Sequence, residues 1–268
     1  MTAARLRWEP VIDRAAAIVQ GYDTLVTLRQ LFYRLVSEGM LPNTKHAYQH
    51  LSRLTAEARR EGWFPALFDR TRVIHRPPSW PSLNACLAGA RRGFRLDRTE
   101  GQAANVVLAV EKHGLVELLL AWFGGLGLPV VALGGYPSQS CVDQVAGLVA
   151  DDTRPAVLLY GGDFDPSGED IGRDFIRRTG CWAEVRRVAL TPEQVAEHDL
   201  PVMMGKATDS RANGFTARHG QLVQVELDAL PPDTLRRAYE DALAQWWDDA
   251  AYAGVLAAEE RQLDGPAS

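Results

Sequence analysis

The sequence has few cysteines and no long apolar run. Only three cysteines occur in 268 residues, and the wide separation of Cys86, Cys141 and Cys181 argues against a disulfide framework and against a zinc site. No stretch approaches the ~18 consecutive apolar residues of a membrane span, and no apolar signal region follows the first basic residues. We therefore expect a cytoplasmic protein without a membrane partner, associated with the nucleoid if the source is bacterial or archaeal.

Acidic residues outnumber basic ones overall, but the two parts of the chain carry opposite charge. Residues 1–98 contain 16 Lys and Arg against 8 Asp and Glu, a balance of +8, whereas residues 99–268 contain 13 against 26, a balance of −13. A basic segment favours contact with DNA phosphates, although surface charge that only maintains solubility gives the same balance. The interpretation is a DNA-binding domain, 1–98, followed by a metal-binding domain, 99–260.

Apolar residues at helical spacing predict three helices in the basic part, over Trp8–Val19, Thr27–Glu38 and Thr44–Gly62. Three helices in a basic domain favour a helix-turn-helix. Phe68–Ile74 would supply the wing of a winged-helix module, before a proline-rich segment that must leave regular structure.

After Arg98, β-branched apolar runs alternate with helical patterns. The predicted strands are Asn105–Val110, Leu128–Leu133, Ala156–Tyr160 and Glu184–Leu190, and the predicted helices are Gly114–Phe123, Val142–Val149, Ile171–Arg178 and Thr234–Asp249, with a frayed tail after Glu260. This alternation predicts an α/β domain with a mostly parallel sheet.

Three carboxylates directly follow two of these strands. Glu111 comes after the first strand, and Asp163 and Asp165 come after the third. Ligands of open α/β sheets bind at this carboxyl edge, and carboxylates two residues apart in extended backbone project to one side. We predict a Mg²⁺ site at these three residues. The alternative is an acidic Asp-Pro-Ser-Gly turn that only caps the next helix.

Several motifs resemble one protein family. The segments Val110-Glu111-Lys112-His113-Gly114-Leu115 and Gly162-Asp163-Phe164-Asp165-Pro166-Ser167-Gly168 resemble, in order and in strand context, the two signatures of the TOPRIM domain. Gly134–Pro137 and Lys206–Arg211 resemble segments of the A subunit of topoisomerase VI and of the meiotic double-strand-break proteins. The resemblance covers roughly residues 20 to 250. It implies a winged-helix domain followed by a TOPRIM domain with a Rossmann-like sheet.

The same family carries its nucleophilic tyrosine in an Arg-x-x-aromatic-Tyr motif, which Arg29-Gln30-Leu31-Phe32-Tyr33 matches. Four residues apart on a predicted helix, Arg29 and Tyr33 share a face. The resemblance implies a type IIB topoisomerase reaction: Tyr33 attacks a DNA phosphate and forms a 5′-phosphotyrosyl link. Arg29 would hold the phosphate and favour the phenolate, and Glu111 would act as acid or base. Without the resemblance, Tyr33 is an ordinary half-buried aromatic residue.

Basic residues near these motifs are candidate DNA contacts. Arg70 and Arg72 lie in the predicted wing, Lys112 and Lys206 lie near the acidic motifs, and Arg211 ends the last family segment. An exposed cation is more often only solvated, so the alternative for each is an ordinary surface charge.

The resemblance also implies partners. It implies double-stranded DNA as the substrate and a homodimer in which the tyrosine of one subunit meets the metal site of the other. Larger A subunits of the family have additional N-terminal sequence that contacts an ATP-hydrolysing B subunit, whereas the first predicted helix here begins almost at once, so a B-type partner is the weaker expectation. Two other hypotheses stay open: a hydrolytic TOPRIM nuclease that does not use the tyrosine, and a DNA-binding protein without enzymatic activity.

Overall fold

A computed structural model describes residues 7–22, 26–68, 77–205 and 208–264. The first part of the chain forms helices α1 (Trp8–Gln20), α2 (Leu28–Ser37), α3 (Lys45–Arg60) and α4 (Leu83–Gly93). The first three confirm the predicted helices. The predicted wing lies almost wholly outside the described residues, as do Arg70 and Arg72, so the winged-helix module stays a prediction.

Side-chain caps fix where α2 and α3 begin. Thr27 and Gln30 form a capping box at the start of α2, and the Thr44 side chain accepts a hydrogen bond from Ala47 N at the start of α3. Thr27 also forms an isolated parallel bridge with Phe68. The cap and this bridge fix the start of the helix that carries the candidate tyrosine.

A four-stranded sheet forms the centre of the molecule. It contains β1 (Asn105–Val110), β2 (Val130–Ala132), β3 (Ala156–Gly161) and β4 (Glu184–Ala189) in the order β2-β1-β3-β4. All neighbouring strands are parallel, which confirms the predicted α/β class and parallel sheet. All six residues of β3 are buried, as expected for a strand that is covered on both faces.

The remaining described α-helices and strands surround this sheet or follow it. They are α5 (Val116–Phe123), α6 (Gln139–Ala150), α7 (Pro166–Thr179), α8 (Pro192–Glu197), β5 (Met203–Met204), α9 (Ala212–His219), β6 (Val223–Gln224), α10 (Pro232–Leu243) and α11 (Asp249–Asp264). Strands β5 and β6 pair in antiparallel fashion. None of the helices in the described ranges has the length and apolar character needed to cross a membrane.

The C-terminal part differs from its prediction in two ways. The helix predicted to reach Asp249 ends at Leu243, and α11 begins after Asp248, whose carboxylate accepts the amide of Ala250 at 2.7 Å. The tail is helical to Asp264 rather than frayed after Glu260. One reason is that Glu259 on α11 pairs with Arg98 at 2.8 Å and so ties the helix to the rest of the fold.

The sheet has a different partner on each face. Val107 and Leu158 pack with α6 and α7, whereas Leu108 and Leu159 belong to a buried cluster that continues into α1, α2 and α3. Helix α2 also packs against a short 3-10 helix, Leu227–Ala229. The N-terminal helices are therefore held close to the carboxyl edge of the sheet.

Candidate functional site

Glu111 and Asp163 meet at the carboxyl edge of the two central strands. The chain moves from β1 to β2 on one side and returns to β3 on the other, so the gap between β1 and β3 is the topological switch point where open α/β sheets bind ligands. Glu111 N donates to Gly161 O at 2.8 Å, and Asp163 N donates to the Glu111 carboxylate at 2.9 Å. The structure thus brings these two predicted residues together.

Asp165 lies at the same edge and begins the next helix. It is the N-cap of α7, and its carboxylate accepts Gly168 N at 2.7 Å. The capping role that the sequence left as an alternative is therefore present. A Cβ added at Gly168 would collide with the carbonyl oxygen of Asp163 and come within 3.0 Å of Glu111 Oε2, so only glycine allows the helix to start this close to the carboxylates.

Lys112 lies between two of the acidic side chains. Its Nζ is 2.5 Å from Asp163 Oδ2 and 2.5 Å from Glu226 Oε2. The other oxygen of Asp163 accepts Leu227 N at 2.8 Å. The predicted DNA contact at Lys112 is therefore engaged inside the acidic site in this arrangement.

Burial and charge perturb the pKa values of this group. Burial raises the pKa of Glu111, and it raises the pKa of Asp163 to about 7 although Lys112 opposes the rise. Burial alone would lower the pKa of the Lys112 ammonium, but Asp163 and Glu226 together raise it. For Glu226, burial is outweighed by Lys112 and Arg29, which lower its pKa. The charged form of Glu226 is therefore favoured, whereas burial favours the protonated forms of Glu111 and Asp163.

Arg29 connects the tyrosine to the acidic site within one chain. Its Nη2 is 2.6 Å from Glu226 Oε2, and its Nε is 3.3 Å from Asp228 Oδ2. The guanidinium carbon lies 5.8 Å from the ring centroid of Tyr33. A continuous path of ion pairs therefore runs from Arg29 through Glu226 and Lys112 to Asp163.

Tyr33 is buried and is not activated in this arrangement. Its relative exposure is 7%, and its ring packs edge-on against Phe32. Burial and the charge of Glu226 raise the pKa of Tyr33, and Arg29 does not offset them. Arg29 by itself favours the phenolate by lowering the pKa of Tyr33, but burial and Glu226 outweigh it, and its guanidinium also pairs with Glu226 and Asp228.

The Tyr33 side chain borders an open cleft of about 310 Å³. The cleft is lined by Arg29, Phe32, Tyr33, Asn43, Thr44, Lys45 and Tyr48. Two of these residues are cations, and the buried Asn43 Nδ2 has no hydrogen-bond partner among the described residues. The tyrosine therefore borders a space with unused hydrogen-bonding capacity.

The chemistry of the acidic residues suits Mg²⁺, because hard cations prefer carboxylate oxygens. One oxygen each of Glu111, Asp163 and Asp165 accepts a backbone amide, which orients the carboxylate. Within the described ranges, however, no group of three or more His, Cys, Asp or Glu side chains is arranged to hold a metal ion. Lys112 occupies Asp163 Oδ2, so a cation could use that oxygen only after the lysine moved away.

A second polar cluster joins the other two family segments. Arg211 donates to Asp209 at 2.8 Å, to Ser167 Oγ at 2.9 Å and to the Tyr136 hydroxyl at 2.6 Å. Tyr136 in turn donates to Asp170 on α7. The segments around Tyr136 and Arg211 therefore meet beside the start of α7. Lys206 lies outside the described residues.

Two functional candidates, Glu226 and Asp228, were missed in the sequence. They alternate with Val225 and Leu227, both fully buried. That alternation of apolar and acidic residues was the available signal, although Glu226 is extended and Asp228 already lies in the 3-10 helix Leu227–Ala229.

The sequence matches no protein-family model and no curated protein. The resemblance to the topoisomerase VI A subunit therefore depends on the motifs themselves.

Proposed function

We propose that this protein is a DNA-cleaving transesterase of the type IIB topoisomerase A-subunit kind, with a winged-helix N-terminal domain and a TOPRIM domain. The observation that carries this proposal is the path of ion pairs from Arg29, beside Tyr33, through Glu226 and Lys112 to Asp163. This path supports the proposal because it connects two cations and an acidic group, and because its Arg29 end lies beside the candidate nucleophile. Cleavage of a phosphodiester needs a nucleophile that attacks the phosphorus and positive groups that stabilise the charge developing on the phosphate.

In the proposed reaction, the Tyr33 oxygen forms a bond to a DNA phosphorus and the bond to the 3′ oxygen breaks. The phenol loses its proton, and the departing 3′ oxygen takes one up. Glu111 would take the proton of the phenol and supply one to the 3′ oxygen, since burial raises its pKa above that of an ordinary carboxyl. One phosphodiester replaces another, so the step is reversible without an energy source.

The two cations of the ion-pair path would balance the phosphate charge, since Arg29 and Lys112 both lie next to Glu226. Mg²⁺ held by Glu111, Asp163 and Asp165 would supply further positive charge at the same edge. Asp163 and Asp165 would be ionised when they hold the cation, whereas Glu111 would also exchange a proton with the reacting oxygens.

Double-stranded DNA is the proposed substrate, and a homodimer would cut both strands. The contacts of Arg29 with Glu226 support a site in which tyrosine and acidic group belong to the same chain. Mixing Tyr33→Phe with Asp165→Asn tests this arrangement. We expect the mixture to stay inactive, because each site is made by one chain. Recovered cleavage would instead support sites shared between subunits, the arrangement that the resemblance implies.

The experiment that tests the reaction is plasmid cleavage followed by denaturation and detection of protein on DNA 5′ ends. We expect the covalent product with the wild type and with Tyr48→Phe, a control tyrosine in the same cleft, but not with Tyr33→Phe. A product that persists in Tyr33→Phe would refute the assignment of the nucleophile.

A hydrolytic nuclease is the second candidate, and the buried Tyr33 with its raised pKa favours it. In that case, water attacks the phosphate and the tyrosine takes no part. Cleavage without attached protein, equal in the wild type and Tyr33→Phe but lost in Asp165→Asn, would select this function.

A further inference from the structure

The carboxylate of Glu226 has the surroundings of a bound anion. A single oxygen, Oε2, lies 2.5 Å from Lys112 Nζ and 2.6 Å from Arg29 Nη2. A phosphate oxygen is bound in the same way, by two cationic side chains that contact one anionic oxygen. The two cations come from different parts of the chain, one after β1 and the other on α2.

We propose that Glu226 occupies the position of a DNA backbone phosphate, and that DNA binding exchanges its carboxylate for a phosphodiester held between Lys112 and Arg29 of the same chain. This inference rests on the proposed function and names the place where its substrate binds. The exchange replaces one anion by another, so the charge balance around the two cations is preserved.

The backbone around Glu226 allows this exchange without refolding. Val225 N and O pair with Phe164 at 3.0 and 2.9 Å, and Leu227 N donates to Asp163 at 2.8 Å. The residues on both sides of Glu226 are therefore fixed, and only its side chain needs to change rotamer. Such a change is fast and local compared with a domain movement.

Arg29 is the exposed member of this arrangement, on the side of the tyrosine. The Arg29 side chain is 46% exposed, whereas the Glu226 side chain is 12% exposed. Arg29 also lines the cleft of Tyr33, together with Lys45. A phosphate that replaced Glu226 would therefore be held by the same guanidinium that lies beside the tyrosine ring.

The test is the affinity of Glu226→Gln for a fluorescently labelled DNA duplex in EDTA, where no metal-dependent cleavage takes place. The amide keeps the shape of the side chain but no longer neutralises Lys112 and Arg29. We expect binding about tenfold tighter than that of the wild type. The salt dependence should also be steeper by about one phosphate contact.

Two comparisons separate this proposal from a general change in charge. Glu240→Gln removes the same charge from an exposed ion pair on α10 and should change the affinity little. In Glu226→Gln combined with Lys112→Met, the gain should be lost. A gain of equal size in Glu240→Gln, or a gain that survives the second substitution, would overturn the proposal.

Thermal unfolding of each variant shows whether it is folded. If Glu226→Gln does not fold, Glu226→Asp provides the test, because its shorter side chain keeps the charge but cannot reach both cations equally well. It should bind DNA more tightly than the wild type. Folded variants that bind DNA no more tightly than the wild type would refute the exchange.

The outcome is separable from that of the proposed reaction. Tighter binding by Glu226→Gln without any covalent product in the wild type would remove the transesterase and keep the phosphate position. A covalent product together with unchanged binding by Glu226→Gln would keep the transesterase and remove the exchange.

Discussion

Replacing Lys112 by methionine should destabilise the protein, because Lys112 is the cation shared by two buried carboxylates. Its Nζ lies 2.5 Å from both Asp163 and Glu226. Removing one partner of a buried ion pair costs ~3–5 kcal/mol. The Lys112 side chain is 22% exposed, and Asp163 can take up a proton instead of remaining an unpaired charge. We therefore expect a loss of about 2–3 kcal/mol at neutral pH.

This loss has a defined dependence on pH. Burial already raises the folded pKa of Asp163 to about 7, so the stability contributed by its protonated form is lost as the pH rises through that value. Without Lys112, the folded pKa rises further. The gap between the wild type and Lys112→Met should therefore widen above neutral pH, by up to about 1.4 kcal/mol per pH unit.

Urea unfolding at several pH values, in EDTA and in Mg²⁺, measures this effect. Lys45→Met is the matched control, because Lys45 is exposed at the start of α3. Mg²⁺ should recover more stability in Lys112→Met than in the wild type, since the lysine no longer competes for Asp163. Equal unfolding free energies for Lys112→Met and Lys45→Met, at every pH, would refute the reasoning.

Two further substitutions test how the fold supports the site. Gly168→Ala should destabilise the protein by about 1–3 kcal/mol in urea unfolding, because its Cβ would collide with the Asp163 carbonyl. The control is Gly147→Ala, which has open space around its Cβ. It should stabilise helix α6 by ~0.5–1 kcal/mol. Tyr239→Phe removes the buried hydrogen bond of 2.7 Å to Ala109 O and should lower the free energy of unfolding by about 1–2 kcal/mol in the same assay. An unchanged free energy of unfolding would show that this bond does not support β1.

The central strands were predictable because their pattern is local. The run Asn105–Val110 matches β1 residue for residue, since a β-branched apolar run has few alternatives to a buried strand. Helix α4 was not predicted, because its apolar residues Leu83 and Leu87 remain exposed at 74% and 55% and so give no clear buried face. Strands β5 and β6 have two residues each, too few for any periodicity.

The candidate site was predictable only in part, for a related reason. Glu111 and Asp163 follow neighbouring parallel strands, so the order of strands and helices is enough to bring them together. Glu226 contacts Lys112 although the two residues are 114 positions apart in the sequence. Its position depends on how the segment after β6 pairs with Phe164, and no local spacing encodes that pairing.

The position of Lys112 suggests how the two halves of the site depend on each other. Lys112 pairs with Asp163 on the acidic side and with Glu226 on the tyrosine side. A cation bound by Asp163 would release Lys112 from that carboxylate. Lys112 would then pair only with the anion on the other side, which is Glu226 or a phosphate in its place. A phosphate in place of Glu226 would draw the lysine away from Asp163 and favour a cation there. Because such coupling is reciprocal, metal and DNA should each strengthen the binding of the other by the same factor.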